Sequence, residues 1–391
     1  MRVKSIAFLA ALGAFLLAAC GAAPSQTWPG LTSNGELAFV ASGQQIHAVR
    51  LADNAQAWAF PAEVNNTTGI FVADPGVSAD LVIVGSEGPT GSYSGVLYGL
   101  NPADGTQKWC LAFDQKAVTR VGCPLAQGAP AAGPLGISPA VDNRIIGGLA
   151  LVDGTAYVGL ANGKFYAVDA ATGKDKWYFE AQRDVWAVPL VLSDTVYVSS
   201  LDHHLYALNT ADGSLRWQKD LGAAVAGTPT PSEDGQTLYV GTFGSLLYAL
   251  DAATGAEVWA QPYIAKNWVW AGPTVHAGVL YLTDVGGYIH AIDPTTGQLV
   301  WAAPVKPGGL MRARPAINGD LLYVGDRDGH VFGLDLATGA VRYTTTMKGQ
   351  ILAPIVVVDD KVLVAPFSGE NLLVGLSLDL QGVPLAFAPT K

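Results

Sequence analysis

Few residues in this chain could do chemistry. There are three cysteines and six histidines in 391 residues. Thiols can attack, bind metal or pair. A structural zinc site normally takes four ligands, and no histidine lies between or near Cys110 and Cys123. His47 and His290 stand where a recurring motif elsewhere carries Tyr, which predicts a packing or rim position. His203-His204 falls in a turn and reads as solvated. Asp326-Arg327-Asp328-Gly329 is spaced like the start of a calcium loop but lacks the third acidic position and the closing Glu. It reads as a turn, as does Glu370-Asn371 in the last copy of the same motif. Proton abstraction needs a positioned base in a closed pocket, and the sequence offers none. No catalytic residue, no metal ligand and no cofactor is expected.

The elements that would position any site repeat along the chain. FYAVDAATG ends at Trp177, LYALNTADG at Trp217, LYALDAATG at Trp259, IHAIDPTTG at Trp301, VFGLDLATG at Tyr343 and LYGLNPADG at Trp109. A weaker first copy, IHAVRLADN, ends at Trp58, and a decayed last one, LVGLSLDLQ, ends near Leu385. The steps between ends are 51, 68 and 40, then 42 four times, too regular for chance. In the fifth copy a Pro-bearing stretch, TLYVG, LLYALD and a segment through Trp259 are separated by turns at Asp234-Gly235, Phe243-Gly244 and Thr254-Gly255. That is about four short strands per copy. Val, Leu and Tyr suit pleated, half-buried surfaces. The turn glycines supply positive φ, and the Asx before them accepts bonds from turn amides.

One such sheet cannot bury both faces. Stacking the copies radially does so, and closing the ring removes sticky ends. The expected fold is all-β: one eight-bladed β-propeller of four-stranded antiparallel blades over residues 28–390, with each repeat Trp wedged between blades. An open solenoid is the alternative. The high content of Gly 46 and Pro 23, with only 14% charged residues, fits strands and tight turns and excludes wholesale disorder. The net charge of −10 argues against a nucleic-acid partner.

Insertions interrupt the repeat at 87–95, between Trp109 and Pro139, and at 143–149. In repeat proteins such insertions map to loops on one face, often a binding face; decorative loops are the alternative. The stretch before each Pro should line the channel: Asp184-Val185-Trp186, Ala226-Gly227-Thr228, Trp270-Ala271-Gly272 and Arg312-Ala313-Arg314, with Lys266-Asn267-Trp268 ahead of the third. Trp186, Trp268, Trp270, Arg312 and Arg314 are therefore candidate channel-mouth residues for an anionic or flat ligand, or for a peptide. A tight, empty channel is the plain alternative.

The N-terminus carries a separate signal. Arg2 and Lys4 precede an apolar run from Ile6 to Ala19, shorter than a spanning helix needs. The string Leu17-Ala18-Ala19-Cys20 resembles the bacterial lipobox. That implies a signal peptide at 1–19 and acylation of Cys20, with 20–27 as a short tether; an ordinary secretory signal is the alternative. Seven residues, 21–27, reach at most about 25 Å, which would hold the propeller near its membrane. Export would leave only Cys110 and Cys123, which then are expected to pair; two buried free thiols are the alternative.

The pattern Y-V-G, D-G, L-Y-A-L-D-x-x-T-G, W resembles the PQQ-like, quinoprotein-type propeller repeat. It is not the WD40 pattern, since no repeat Trp is followed by Asp. The family holds two kinds of protein. Quinoprotein dehydrogenases carry an adjacent Cys-Cys pair, absent here, and larger loops. In gross plan the chain instead resembles the lipoprotein subunit of the outer-membrane β-barrel assembly machinery. The resemblance implies a non-catalytic, extracytoplasmic, membrane-anchored propeller that binds an envelope or outer-membrane protein. A small-ligand propeller for a quinone-like or saccharide molecule, and a PQQ-dependent oxidoreductase, are the alternatives.

Overall fold

The computed structural model describes residues 29–389 apart from 66, 89–93, 114–117 and 121–141. Eight antiparallel sheets follow one another along the chain, each built only from consecutive strands. Blade 1 runs from Gly30–Ser33 to Gln56–Phe60, blade 2 from Gly76–Val77 to Val118–Arg120, blade 3 from Ala150–Val152 to Asp175–Glu180, and blade 4 from Leu190–Leu192 to Leu215–Asp220. Blade 5 runs from Thr230–Pro231 to Tyr263–Ile264, blade 6 from Thr274–His276 to Ile289–Ile292, blade 7 from Ala316–Asn318 to Val341–Thr346, and blade 8 from Val356–Val358 to Leu385–Phe387. In each, the first strand is innermost. The described residues contain no helix.

Six blades have four strands, blade 2 has five and blade 6 has three. The outer strand of blade 6 survives only as the pairs Ile289↔Val305 and Ile292↔Leu299. The cause is in the sequence: Trp301-Ala302-Ala303-Pro304 puts a residue without an N–H on the edge. Blade 5 carries the same break, Trp259-Ala260-Gln261-Pro262, and its outer strand is cut to two residues.

The repeat Trp does what its position suggests. The Trp58, Trp109, Trp177, Trp217, Trp259 and Trp301 indole N–H groups each donate to a carbonyl of the next blade, on Pro102, Ala170, Thr210, Ala252, Pro294 and Leu336, at 2.8–3.1 Å. The ring face lies against that blade's turn glycine. Gly255 has φ +71°, and a Cβ built on it would sit 2.7 Å from Cε3 of Trp217. The motif glycine thus serves two ends, left-handed backbone and a seat for the indole. The Asx before it closes the turn: Asp251 Oδ1 accepts from the Thr254 amide at 2.8 Å.

Buried side chains fall into eight clusters, one at each interface between neighbouring blades. Eight interfaces for eight blades is a closed ring; an open stack would have seven. The last cluster joins Leu363, Leu373, Leu385 and Phe387 of blade 8 to Leu31, Val40 and Val49 of blade 1. Closure uses no exchanged strand. It rests on this apolar face and on Asn54 Nδ2, which donates to Pro384 O at 3.0 Å. Asn54 holds the positive φ that glycine holds in other copies, and its side chain adds a bond that glycine lacks.

Candidate functional site

The connections between blades and the turns between the two middle strands share one end of the ring. Val269 N donates to Thr242 O at 3.0 Å, Val285 N to Trp268 O at 2.9 Å and Arg327 N to Leu310 O at 2.9 Å, lacing the two kinds of segment together. The flanks of the middle-strand turn of blade 2, Glu87 and Gly95, and the 142–149 segment leading into blade 3 belong to this end; most of the 87–95 and Trp109–Pro139 insertions lies outside the described residues. Gly95, at the end of the 87–95 insertion, donates its N–H to Asn143 O of the 143–149 segment at 3.0 Å. Arg144 then grips Asp142 through two bonds and lies 3.8 Å from Glu87.

At the centre of this end is an axial cavity of about 240 Å³. Seven blades contribute the segments just before their inner strands, among them Val72–Asp74, Trp186–Val188, Ala226–Thr228, Trp270–Gly272 and Arg312–Arg314. The middle position of each triplet is small because it faces the neighbouring segment. A Cβ on Gly227 would lie 2.8 Å from Trp270 O, and one on Gly147 would collide with Trp186 O. Flanking positions are left to the channel. Trp186, Trp270 and Arg312 occupy the outer ring of positions; Asp74, Val188, Thr228 and Arg314 occupy the inner one.

Of the five candidate mouth residues, Trp186, Trp270, Arg312 and Arg314 line the cavity. The Arg312 guanidinium lies 4.5 Å from the Trp270 ring centroid, a cation–π contact. Trp186 and Trp270 are 6.4 Å apart and tilted 33°. Trp268 stands outside, on the rim. It is 52% exposed and stacks on Phe243, which in turn packs on Trp270 at 5.0 Å. The expected blade 4 triplet is displaced by two residues: Trp186–Val188, not Asp184–Trp186, fills the positions equivalent to Trp270–Gly272. Asp184 instead accepts a bond from Trp186 Nε1 at 3.1 Å and fixes its ring.

Two site residues escaped the sequence reading. Phe243 was legible only as part of a turn. Asp74 was hidden in a divergent copy, although Val72-Ala73-Asp74-Pro75 has the same form as Arg312-Ala313-Arg314-Pro315 and Trp270-Ala271-Gly272-Pro273. Burial pushes the Asp74 carboxyl up to about 6, against the pull of the Leu31 amide bonded to it at 3.0 Å and of the nearby Arg314 charge. Arg312 and Arg314 are both drawn below the usual arginine range, chiefly by burial. Arg314 keeps much of its surface accessible, but that surface faces the channel.

The other candidates are absorbed into the fold. Among the described residues Asp326, Asp328 and His330 are the one His/Cys/Asp/Glu cluster tight enough to hold a metal. Asp326 is already bonded to the Gly309, Asp328 and His330 amides at 2.9 Å each, which fits the turn reading. His290 is wholly buried between Asp284 (3.0 Å) and the Tyr263 hydroxyl (2.7 Å). His47 is buried on Gln56 at 3.0 Å. His203 has φ +80° in its turn. Cys110 is buried and disulfide-bonded. Cys20 and Cys123, and with them the expected acylation and the Cys110–Cys123 pairing, lie outside the described residues.

Fold and site together define an eight-bladed propeller of PQQ-like repeats with a cationic, aromatic mouth at one end of its axis. The family described as outer membrane protein assembly factor BamB matches residues 138–267, 211–301 and 285–381. These cover more than half of the sequence, and the chain belongs to that family. It is similar to the outer membrane protein assembly factor BamB of Moranella endobia, 26% identical over 212 residues that cover 51% of this chain and 46% of that protein. The chain spans about half the length of the curated relatives it matches. The crystal structure of BamB from Moraxella catarrhalis shares the fold with a TM-score of 0.63 at 19% identity, over 90% of this chain and 91% of that one. The quinohemoprotein alcohol dehydrogenase from Comamonas testosteroni shares it too, with a TM-score of 0.62 at 14% identity, over 93% of this chain and 75% of that one.

Proposed function

We propose that this protein is a non-catalytic, lipid-anchored scaffold for outer-membrane protein assembly, held at the periplasmic face of the outer membrane through acylated Cys20. The family match supports the assembly role. The observation that carries the scaffold reading is the gathering of features at one end: the Gly95–Asn143 contact, the Phe243–Trp268 rim and the axial mouth. A binding face built from loops on a rigid ring is a common arrangement. The opposite end, with its Asx-Thr-Gly turns, repeats nearly unchanged from blade to blade.

The anchor reinforces this reading. The chain enters blade 1 at Gly30, packed against Ala73 O at the mouth end. From Cys20 to Gly30 the backbone reaches at most about 35 Å, so an acylated Cys20 would turn the mouth end toward the bilayer and toward membrane-embedded partners. A Cys110–Cys123 disulfide would fix the shape of the longer insertion.

The test is detergent isolation of the tagged chain from native envelopes. The expected result is co-isolation of β-barrel assembly subunits, lost on double substitution of Phe243 and Trp268 by Ala and retained on Ala substitutions at Asp212 and Ser214 of the opposite end. Labelled palmitate should enter the chain and be lost in Cys20→Ser. Isolation of a monodisperse chain without any assembly subunit would overturn the scaffold reading.

A further inference from the structure

Arg314 sits badly for a purely structural residue. It lies in the inner ring of the axial cavity and makes no hydrogen bond or ion pair with any described residue, unlike Arg50, Arg144, Arg216 and Arg342, each of which holds a carboxylate. Burial depresses its pKa, yet a guanidinium remains charged at any physiological pH. Its exposed surface faces the axial channel, and the one opposite charge acting on it is that of Asp74, so its hydrogen-bond donors are open to whatever enters. The titratable residues lining the cavity are Asp74, Arg312 and Arg314. They sum to one positive charge with Asp74 ionised and two with it protonated, inside a chain of net charge −10.

We propose that Arg314, with Arg312 above it, is an oxyanion site in the axial cavity for a small carboxylate that carries a flat apolar body. The planar guanidinium fork matches a carboxylate through two parallel bonds. The apolar body has matching walls: the Trp186 and Trp270 indoles, with Val72, Ile146, Val188 and Leu352 around them. Arg312 is already stacked on Trp270, so its charge is held at the mouth where an entering anion meets it first. A free phosphate would use the arginines and leave these walls idle.

Asp74 acts on the same site as a competing charge. It is met by the Leu31 amide from blade 1 and by the Arg314 charge from blade 7, and Gly148 of blade 3 packs beside its Cβ. Ionised Asp74 repels a carboxylate on Arg314; protonated, it does not. Affinity therefore rises as pH falls through about 6. This site does not depend on the scaffold role, and either can fail alone.

Isothermal titration calorimetry on the detergent-solubilised full chain tests it, with benzoate as probe and inorganic phosphate and benzyl alcohol as the contrasting arms. Benzoate should bind one to one, more tightly than phosphate, and benzyl alcohol should not bind. Arg314→Met should weaken benzoate by about tenfold or more. Asp74→Asn should strengthen it several-fold at pH 7.5 and remove the gain the parent shows at pH 5.5. This gain of affinity also reports a folded variant. Failure of benzoate to bind the parent and Asp74→Asn, an unchanged affinity in Arg314→Met, or phosphate binding as tightly as benzoate would overturn the proposal.

Discussion

Replacing Asp74 by Asn should stabilise the protein, and only at neutral pH. The Asp74 carboxyl is raised from 3.8 to about 6 by burial, which outweighs the Leu31 amide and the Arg314 charge. A carboxyl with a higher pKa folded than unfolded binds its proton more tightly in the native state. Its contribution is therefore most favourable in acid and is lost as pH rises from about 4 through about 6. At about 1.4 kcal/mol per pH unit, the ionised group costs the native state about 3 kcal/mol at pH 7.5. That is a ceiling, because channel water screens part of the charge. Asn keeps an oxygen for the Leu31 amide and carries no charge. The variant should exceed its parent by up to about 3 kcal/mol at pH 7.5, on the order of 5 °C in thermal midpoint, and by under about 1 kcal/mol at pH 4. Taking the difference between variant and parent at each pH cancels the many turn aspartates, whose pKa values are lowered and whose effect runs the other way. Urea melts from pH 4 to 7.5 measure it. A variant no more stable at pH 7.5, or one whose advantage grows toward acid, would refute the reasoning.

Trp259→Ala should cost about 3–5 kcal/mol in urea unfolding, since it opens a cavity between blades 5 and 6. Trp259→Phe should cost less, about 1–2 kcal/mol, mainly for the lost bond to Pro294 O. Gly255→Ala and Gly235→Ala both place alanine at φ +71°, but only the first meets an indole, at 2.7 Å. Both should destabilise by about 1 kcal/mol or more, Gly255→Ala clearly the more, and equal losses would remove the role given to the seat. Alkylation without reductant, followed by mass spectrometry, should leave Cys110 unlabelled and yield a linked Cys110–Cys123 peptide; an alkylated Cys110 would contradict the pairing.

The ring was legible because the motif states its own physics. Asx-Thr-Gly followed four residues later by Trp names both the turn and the plug that turn receives from the preceding blade. The copies ending at Tyr343 and Leu385 lack the indole yet keep the spacing, so the blade count survived their decay. Closure was less legible. Leu385 and Phe387 look like an ordinary strand, and only their burial against Leu31 and Val40 shows which face seals the ring. The breaks in blades 5 and 6 stand in the sequence as Pro262 and Pro304, a signal easily passed over beside the stronger repeat. The mouth was half readable. Trp270 and Arg312 announce themselves by type, whereas Asp74 required aligning a divergent copy. The blade 4 register turns on whether Trp186 ends or begins its triplet, and side-chain type alone does not decide that.

Site-specific photocrosslinking in living cells tests the scaffold most directly. A crosslinking residue placed in turn at 243 and 268 on the mouth end, and at 212 and 254 on the opposite end, reports which face meets a partner. The expected result is adducts with outer-membrane β-barrel assembly subunits from 243 and 268 and none from 212 and 254. Adducts from the opposite end alone, or none with an assembly subunit from either end, would contradict it.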